Sequence, residues 1–503
     1  MSTASLVDER AAIPVHVRMM RRVFSFPVLL AALLVVLAVL TVRSRFDDPD
    51  LWWHLKTGEI IWATHTIPTT DSFSYTTNHH AYIPHEWLSQ VLIYGAYRAG
   101  GYRGLMLWLC FFTSSVLVAG YVLCSLYGGN TKVSFVGAVA LWLFATVGFS
   151  IRPQMIGYFL LIVELLLLHL GRTRSARWFF GLPVLFAVWV NCHGSFFLGL
   201  ILAGTILFAS FFDFRLGSLV ASAWNPRQRR MLMLALILSV VALCVNPIGV
   251  RQIFYPIDTM LHQPINLSAV QEWHPLQLTS IRGVALMAVL ACIFLIAIVR
   301  RSELFWHELL ILAMGTWLAV SHERMLFVFG ILAAPILSRS LSTSWEGYNP
   351  EQDRPLVNAA LLAASLGIAF LMFPSRQDLV RQVDQQSPAK AVEFIKSHHV
   401  SGRMLNEYVY GGYLIWAAPE HPVFIDGRAD VFEWTGVLEA YGNWATLESD
   451  PNVLLDKYRI DFCLLTRQSP MARVLRLLPP WRVVYSDDQS IIFLRSAALS
   501  PAS

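Results

Sequence analysis

Twelve residues near the start of the chain, Asp47-Asp-Pro-Asp-Leu-Trp-Trp-His-Leu-Lys-Thr-Gly58, hold three carboxylates, an imidazole and an ammonium group. Pro49 suits the first turn of a helix, and Trp52 and Trp53 suit a helix lying along a membrane interface. In such a helix Asp50 and His54 are four residues apart and share a face. A carboxylate held beside an imidazole can act as general base on a hydroxyl group, with Asp47 and Asp48 near enough to compete for the role. The candidate catalytic residues are therefore Asp50, Asp48 and His54. The same segment has an equally weighted structural reading, a solvated loop whose acids cap a helix and whose tryptophans anchor it. Further along, the turn-rich segment 67–76 carries Asp71, His85-Glu86-Trp87-Leu88 opens a second interfacial helix, and His193 and His322 fall at helix ends. Planar guanidinium groups suit phosphate, so Arg152 and Arg324 are candidate phosphate ligands, with His85 and Lys56 as further cations. Asp71, Glu86, His193, His322 and Trp53 complete the set as candidate substrate contacts. No spacing matches a metal motif, although His54, His85, His193, Asp50 and Glu86 could gather a divalent cation in three dimensions; no cofactor is certain. Walker, dinucleotide and nucleophile-elbow motifs are absent from the sequence.

The elements that position these residues follow from composition. Of 503 residues 56% are hydrophobic and only 14% are charged, against about 25% charged in a soluble domain, so lipid must solvate much of the chain. Apolar stretches able to cross a hydrocarbon core of about 30 Å occur near 24–43, 104–127, 133–149, 154–170, 178–192, 195–213, 231–248, 283–299, 307–320, 324–338 and 356–374. The first follows Arg18, Arg21 and Arg22, has no small-residue cleavage site after it, and reads as a retained anchor. A cytoplasmic N-terminus places Lys132, the Arg172 to Arg177 cluster, Arg215 with Arg227, Arg229 and Arg230, then Arg300 and Arg301, then Arg339 and Arg354 on the inside, as the positive-inside rule requires. The net charge of +5 is distributed as topology determinants, which argues against nucleic acid as a partner. The outer side then receives loops 44–103 and 249–282, the candidate site residues, and the tail. Two domains are expected: a transmembrane domain over 1–374 with about eleven helices, and an extracytoplasmic domain over 375–503.

The tail has a different texture. Residues 387–398 read as a helix, and short apolar runs at 413–416, 423–425, 462–465, 483–485 and 491–494 alternate with turn signals and with helical patterns at 434–447 and 450–458. This describes an α/β domain on a small sheet. Gly411-Gly412 reads as a tight turn before a strand. Asp426-Gly-Arg-Ala-Asp430 reads as a ligand-holding loop or, slightly favoured, a local Asp–Arg pair fixing a turn. Only Cys463 of the six cysteines lies in the tail, so no disulfide is available there.

An outer acidic residue directly after the first span, interfacial helices in the first outer loop, many short spans and a soluble outer domain together resemble the GT-C superfamily of membrane glycosyltransferases, which includes the protein O-mannosyltransferases and the lipid A aminoarabinose transferases. Pro49-Asp50 looks like the Pro-Asp-Glu opening of the aminoarabinose-transferase branch. Residues 48–58 and 67–76, Trp189-Val-Asn-Cys-His-Gly194, Asn246-Pro-Ile-Gly249 and Phe424-Ile-Asp-Gly-Arg428 are more similar to a group of poorly characterised bacterial GT-C-like proteins, over most of the chain. The resemblance implies a polytopic α-helical membrane protein with a GT-C-like fold and a C-terminal soluble α/β domain, in a bacterial inner membrane. It implies Asp50 as the base that accepts the acceptor hydroxyl's proton, a sugar donor linked to polyprenyl phosphate, inversion at the anomeric carbon, and an unspecified glycan, lipid or protein acceptor. Leu51 stands where the better-known branch has Glu, and His85-Glu86-Trp87-Leu88 where it has Lys-Pro-Pro-Leu. A donor-phosphate contact would then fall to Lys56, His85, Arg152 or Arg324. Two other readings compete: a transporter or flippase of a lipid-linked sugar, for which Glu164 and His169 are the conspicuous coupling groups, and an inactive scaffold of the same shape.

Overall fold

The computed structural model describes residues 15–77, 79–269 and 273–496. Each of the eleven apolar stretches is helical. In chain order the first part contains α1 (Val15–Val23), α2 (Phe26–Val42), α3 (Leu51–Thr64), α4 (Trp87–Gly128), α5 (Thr131–Ala145), α6 (Gln154–Thr173), α7 (Gly181–Cys192), α8 (Phe196–Ala209), α9 (Pro226–Ala242), α10 (Val250–His262), α11 (Pro264–Ala269), α12 (Ile281–Val299), α13 (Trp306–Ser321), α14 (Leu326–Leu341) and α15 (Pro355–Met372). Among the described residues five helical segments are long and apolar enough to cross a membrane: Trp87–Gly128, Gln154–Thr173, Ile281–Val299, Glu323–Leu341 and Pro355–Met372.

Two local features matter for the site. The second interfacial pattern and the following span are one element, α4, broken at Gly101, whose φ of 57° and ψ of −139° leave the helical region. A residue with a Cβ resists that backbone, so glycine here lets the first stretch of α4 turn into its second. α14 forms the centre of the bundle, packed against α4, α5 and α13, with its residues from Leu326 to Leu337 buried all round. Loops expected only to be basic also form a small sheet, β1 (Phe214–Leu216) antiparallel to β2 (Leu219–Ala221), which pairs in parallel with β3 (Leu304–Phe305).

The tail holds α16 (Arg376–Gln386), α17 (Ala389–Ser397), β4 (Met404–Asn406), α18 (Gly411–Ala417), α19 (Ala429–Trp434), α20 (Val437–Ala445), α21 (Pro451–Lys457), β5 (Phe462–Thr466), α22 (Pro470–Leu475), β6 (Trp481–Ser486) and β7 (Ser490–Arg495). Its sheet runs β4-β5-β7-β6, with β4 and β5 parallel and the other pairs antiparallel. The small α/β architecture agrees with the expectation, but two strands do not. Residues 413–416 lie in helix α18, and Gly411-Gly412 is its first turn: a Cβ on Gly411 would sit 2.2 Å from the carbonyl oxygen of Ile425. Residues 423–425 form no strand; Val423 makes a single bridge to Ser74 in the segment between α3 and α4. The β4 strand at 404–406 was not expected, because three buried residues are too few to show a period.

Loop and tail are thereby fastened to each other. The Tyr75 hydroxyl donates to the Met404 carbonyl (2.9 Å), the Thr76 hydroxyl donates to the Phe424 carbonyl (2.6 Å), and α18 packs on α3.

Candidate functional site

Asp50 is the residue before α3, eight after α2 ends at Val42, and its side chain bonds no backbone N–H of that helix. Its Oδ1 accepts from the indole Nε1 of Trp53 (3.2 Å), and its Oδ2 lies 3.1 Å from Nη2 of Arg152. Arg152 reaches back through Nε to Asp48, whose Oδ1 also accepts from the backbone N–H of Asp50 (3.0 Å). One guanidinium therefore bridges both acids, in the forked geometry that arginine favours with carboxylates. The pair is partly shielded, with side-chain exposures of 20% for Asp50 and 5% for Asp48. The tail closes over it. A Cβ on Gly427 would fall 1.9 Å from Oδ1 of Asp50, and one on Gly412 would fall 2.3 Å from the carbonyl oxygen of Pro49, so two glycines of the tail let its backbone lie directly on the acid.

His54 shares a face with Asp50 but is directed elsewhere. Its ring lies on Trp53 with centroids 3.6 Å apart, its Nδ1 meets Nε2 of Gln90 at 3.2 Å, and its Nε2 lies 3.9 Å from Oε2 of Glu86. Glu86, the cap of α4, is the centre of a second cluster, with Nε2 of His193 at 3.3 Å and Nε2 of His85 at 3.7 Å from its Oε1. The backbone N–H of Ser195 donates to Nδ1 of His193, which puts that ring's proton on Nε2, facing Glu86. In His85 the Nδ1 faces the Ile83 carbonyl at 3.3 Å, which puts the proton on Nδ1 and leaves Nε2 bare toward the carboxyl. A neutral, protonated Glu86 is compatible with both neighbours, which approach the same oxygen. Its chemistry agrees: burial pushes the Glu86 carboxyl up to about 8, while burial pulls His85 down to about 4 and His193 down to about 3. His54 is held well below the usual histidine range, by burial first and then by the charge of Arg152.

Arg324 donates through Nη2 to Oε1 of Gln154 (3.1 Å) and lies 4.4 Å over the ring of Trp273. Its charge, with that of Arg152, acts on Glu86, so the two guanidiniums flank the acidic groups. Three candidates are placed outside this group. Lys56 pairs with Glu59 at 2.7 Å and faces Trp416 of the tail. His322 holds the Trp273 carbonyl at 2.8 Å. Asp71 is fully buried and accepts from Arg428 (2.7 Å), from Thr77 and from Ser74, and Arg428 grips Asp426 through Nε (2.8 Å) and Nη2 (2.6 Å). The Asp–Arg pair of the tail is thus half of a buried triad that spans to the segment between α3 and α4. Burial would raise Asp71, but Arg428 and the two hydroxyls outweigh it and lower it.

Sequence reasoning did not assign Gly427, Gln90, Gln154, Tyr255 or Asp430. Tyr255 in α10 stacks on His85 with centroids 3.9 Å apart and donates to Asp430 (2.8 Å), which links α10, α4 and the tail. Asp430 was visible as the end of a charged loop; the glycine and the amides carried no signal of their own. Among the described residues no group of three or more His, Cys, Asp or Glu has the arrangement to hold a metal ion. A divalent cation between Asp48 and Asp50 would have to displace Arg152. Residues next to His85 and Glu86 in sequence, Ile83, Pro84 and Trp87, line a mainly apolar cavity of about 890 Å³, with Ile61, Trp62, Ile248 and Arg251 among the others.

No protein-family model and no curated protein matches the chain. Solved structures do, two of them as follows. The archaeal oligosaccharyltransferase AglB from Archaeoglobus fulgidus, in complex with an inhibitory peptide and a dolichol-phosphate, is 12% identical; the match covers 94% of this chain and 75% of that one, with a TM-score of 0.53. ArnT from Cupriavidus metallidurans, bound to undecaprenyl phosphate, is 13% identical, with 93% of this chain and 98% of that one covered and a TM-score of 0.51. The chain has the GT-C-like fold, as its sequence resemblance led one to expect.

Proposed function

We propose that this protein is a membrane glycosyltransferase that moves a sugar from a polyprenyl-phosphate donor to an acceptor hydroxyl at the non-cytoplasmic face of a bacterial inner membrane. The observation that carries the reading is Asp50, oriented by Trp53, bridged by Arg152 to Asp48 and roofed by the tail, in a fold shared with two proteins solved with polyprenyl-type phosphates. The eleven helical stretches would cross the bilayer, with the N-terminus inside and loops 44–103 and 249–282 and the tail outside.

In this reading the acceptor hydroxyl gives its proton to Asp50 as its oxygen attacks the anomeric carbon. The bond from that carbon to the phosphate oxygen breaks, and the polyprenyl phosphate leaves with the electron pair. A single displacement inverts the centre. The leaving group is already a stable anion, so the protein supplies chiefly position and fixed positive charge. Arg152 and Arg324 supply that charge. Arg152 also restrains Asp50 by holding its Oδ2 at 3.1 Å. A donor phosphate that takes the Nη2 side of Arg152 would release Asp50 while Nε stays on Asp48, which ties activation of the base to the presence of donor.

The test is transfer of labelled sugar from polyprenyl-phosphate donors in reconstituted membranes. Wild type is expected to transfer or hydrolyse donor, and Asp50→Asn of equal folding to lose at least about a thousandfold, within the range spanned by general-base and positioning effects. Equal activity in the variant would remove Asp50 as the base; no activity with any donor would leave the scaffold and the carrier. Glu164 offers the carrier little: it is buried halfway along α6 and lines neither the 890 Å³ cavity nor the 380 Å³ groove near Phe159.

A further inference from the structure

The end of α6 remote from Asp50 carries an unusual cation. α6 runs from Gln154, two residues after Arg152, to Thr173, a rise of about 30 Å at 1.5 Å per residue, which is the thickness of the hydrocarbon core. In its last turn Arg172 is partly buried, with its guanidinium carbon 5.5 Å from the ring centres of both Trp224 and Phe305. Its Nη1 lies 3.0 Å from Nε2 of His307. Arginine has no acceptor, so His307 must receive that bond as a neutral ring. Among the described residues no carboxylate lies within 4 Å of Arg172. The neighbouring acids are taken: Glu308 is gripped on both oxygens by Arg339, and Glu303 pairs with Arg215. The cluster therefore sets two guanidiniums, Arg172 and Arg339, against one carboxylate, away from bulk water, where an unbalanced charge is costly.

We propose that an anionic phospholipid headgroup from this leaflet supplies the missing negative charge, with Arg172 as its principal ligand. Trp224 and Phe305 fix the guanidinium plane so that its remaining N–H groups present a fork to a phosphodiester. Exposed Trp178, Phe211 and Phe212 surround the same end and place it at the level of an interfacial aromatic belt, where a lipid phosphate sits. Exposed Arg174, Arg227 and Arg230 concentrate anionic lipid near it without being enclosed. The lipid holds α6, the 224–228 segment and the start of α13 together; Gln228 already bonds the Arg172 carbonyl at 2.8 Å.

The full-length protein, delipidated in neutral detergent, is titrated with phosphatidylglycerol, with phosphatidylcholine or with inorganic phosphate, and bound lipid is counted by native mass spectrometry alongside the thermal midpoint. Phosphatidylglycerol is expected to bind and to raise the midpoint, phosphatidylcholine and inorganic phosphate to do neither. Arg172→Gln should weaken phosphatidylglycerol binding at least about tenfold, Arg172→Lys by a smaller factor because charge remains without the fork, and Arg174→Gln by less than about twofold. Should the glutamine variant fail to fold, the lysine variant decides. Equal binding by Arg172→Lys and wild type, an equal loss in Arg174→Gln, or saturation by inorganic phosphate alone would overturn the assignment.

Discussion

Glu86→Gln isolates the second cluster from everything else in the site. In the folded protein the Glu86 carboxyl is pushed up from an ordinary 4.5 to about 8, by burial, against the pull of Arg324 and Arg152, with Asp50 and Asp430 adding to the rise. Its side chain is 11% exposed, so solvent screens little of this. A carboxyl whose folded pKa is raised holds its proton longer in the native than in the unfolded chain. Its contribution to stability is complete below pH 4.5 and is lost progressively as pH rises through about 8. Each pH unit in that window is worth about 1.4 kcal/mol, so the loss amounts to roughly 3 to 5 kcal/mol by pH 8. The three histidines have lowered pKa values, act in the opposite direction as pH falls, and are common to both proteins.

Glutamine mimics the neutral acid: with its oxygen in the place of Oε1 it can accept from Nε2 of His193. It cannot ionise. Denaturation of wild type and variant in one detergent at pH 5, 7 and 9 should therefore show the variant gaining on wild type by about 3 to 5 kcal/mol across the series. A difference that stays constant with pH would refute a proton on Glu86 in the native state, and with it the donor and acceptor pattern assigned to the three imidazoles.

Three further outcomes are expected. Gly427→Ala puts a methyl within 1.9 Å of Oδ1 of Asp50 and should lower sugar transfer by at least about tenfold while the tail stays folded, whereas Gly442→Ala, with open space around it, should not; equal activities would show that the roof over Asp50 plays no part. Arg428→Met leaves Asp71 and Asp426 buried without their shared cation and should cost about 3 to 5 kcal/mol, seen as earlier proteolytic release of the tail; a smaller loss would mean that the triad is not what joins loop and tail. Glu164→Leu should stabilise the protein by about 1 to 3 kcal/mol in denaturant titration, since neither carboxylate oxygen has a hydrogen-bond partner among the described residues; destabilisation would reveal one.

The sequence showed the bundle of apolar helices, because apolar length is a local property that lipid enforces directly. It also placed Asp50 and His54 on one helix face. What it did not show is which partner each would take. His54 turns to Gln90 and Glu86, and Asp50 turns to Arg152, because residues more than thirty positions away arrive at the same place through helix packing. The tail was hardest to read. Gly411-Gly412 reads as a turn on local grounds, yet it opens a helix because α18 must lie against α3 and the backbone of the Ile425–Asp426 segment, where a side chain would not fit. The same contact hides Gly427, whose role depends on an acid nearly four hundred residues earlier.

That long-range contact bears on how a site of this kind is completed. Helix ends can bring acids and arginines to the edge of the bilayer, but open headgroup water would screen Arg152 and hydrate Asp50 until neither acted strongly on a substrate. The tail changes that environment with backbone alone. Gly412 and Gly427 exclude water from the Asp50 side, Asp430 fixes Tyr255 and through it His85, and Arg428 anchors the loop that carries them to Asp71. Each of these contacts joins the tail to segment 44–103 or 249–282. The candidate site is thus shared between a helical part that supplies the charges and a tail that lowers the dielectric around them. A tail that moves away would leave Asp50 in place but return it to water.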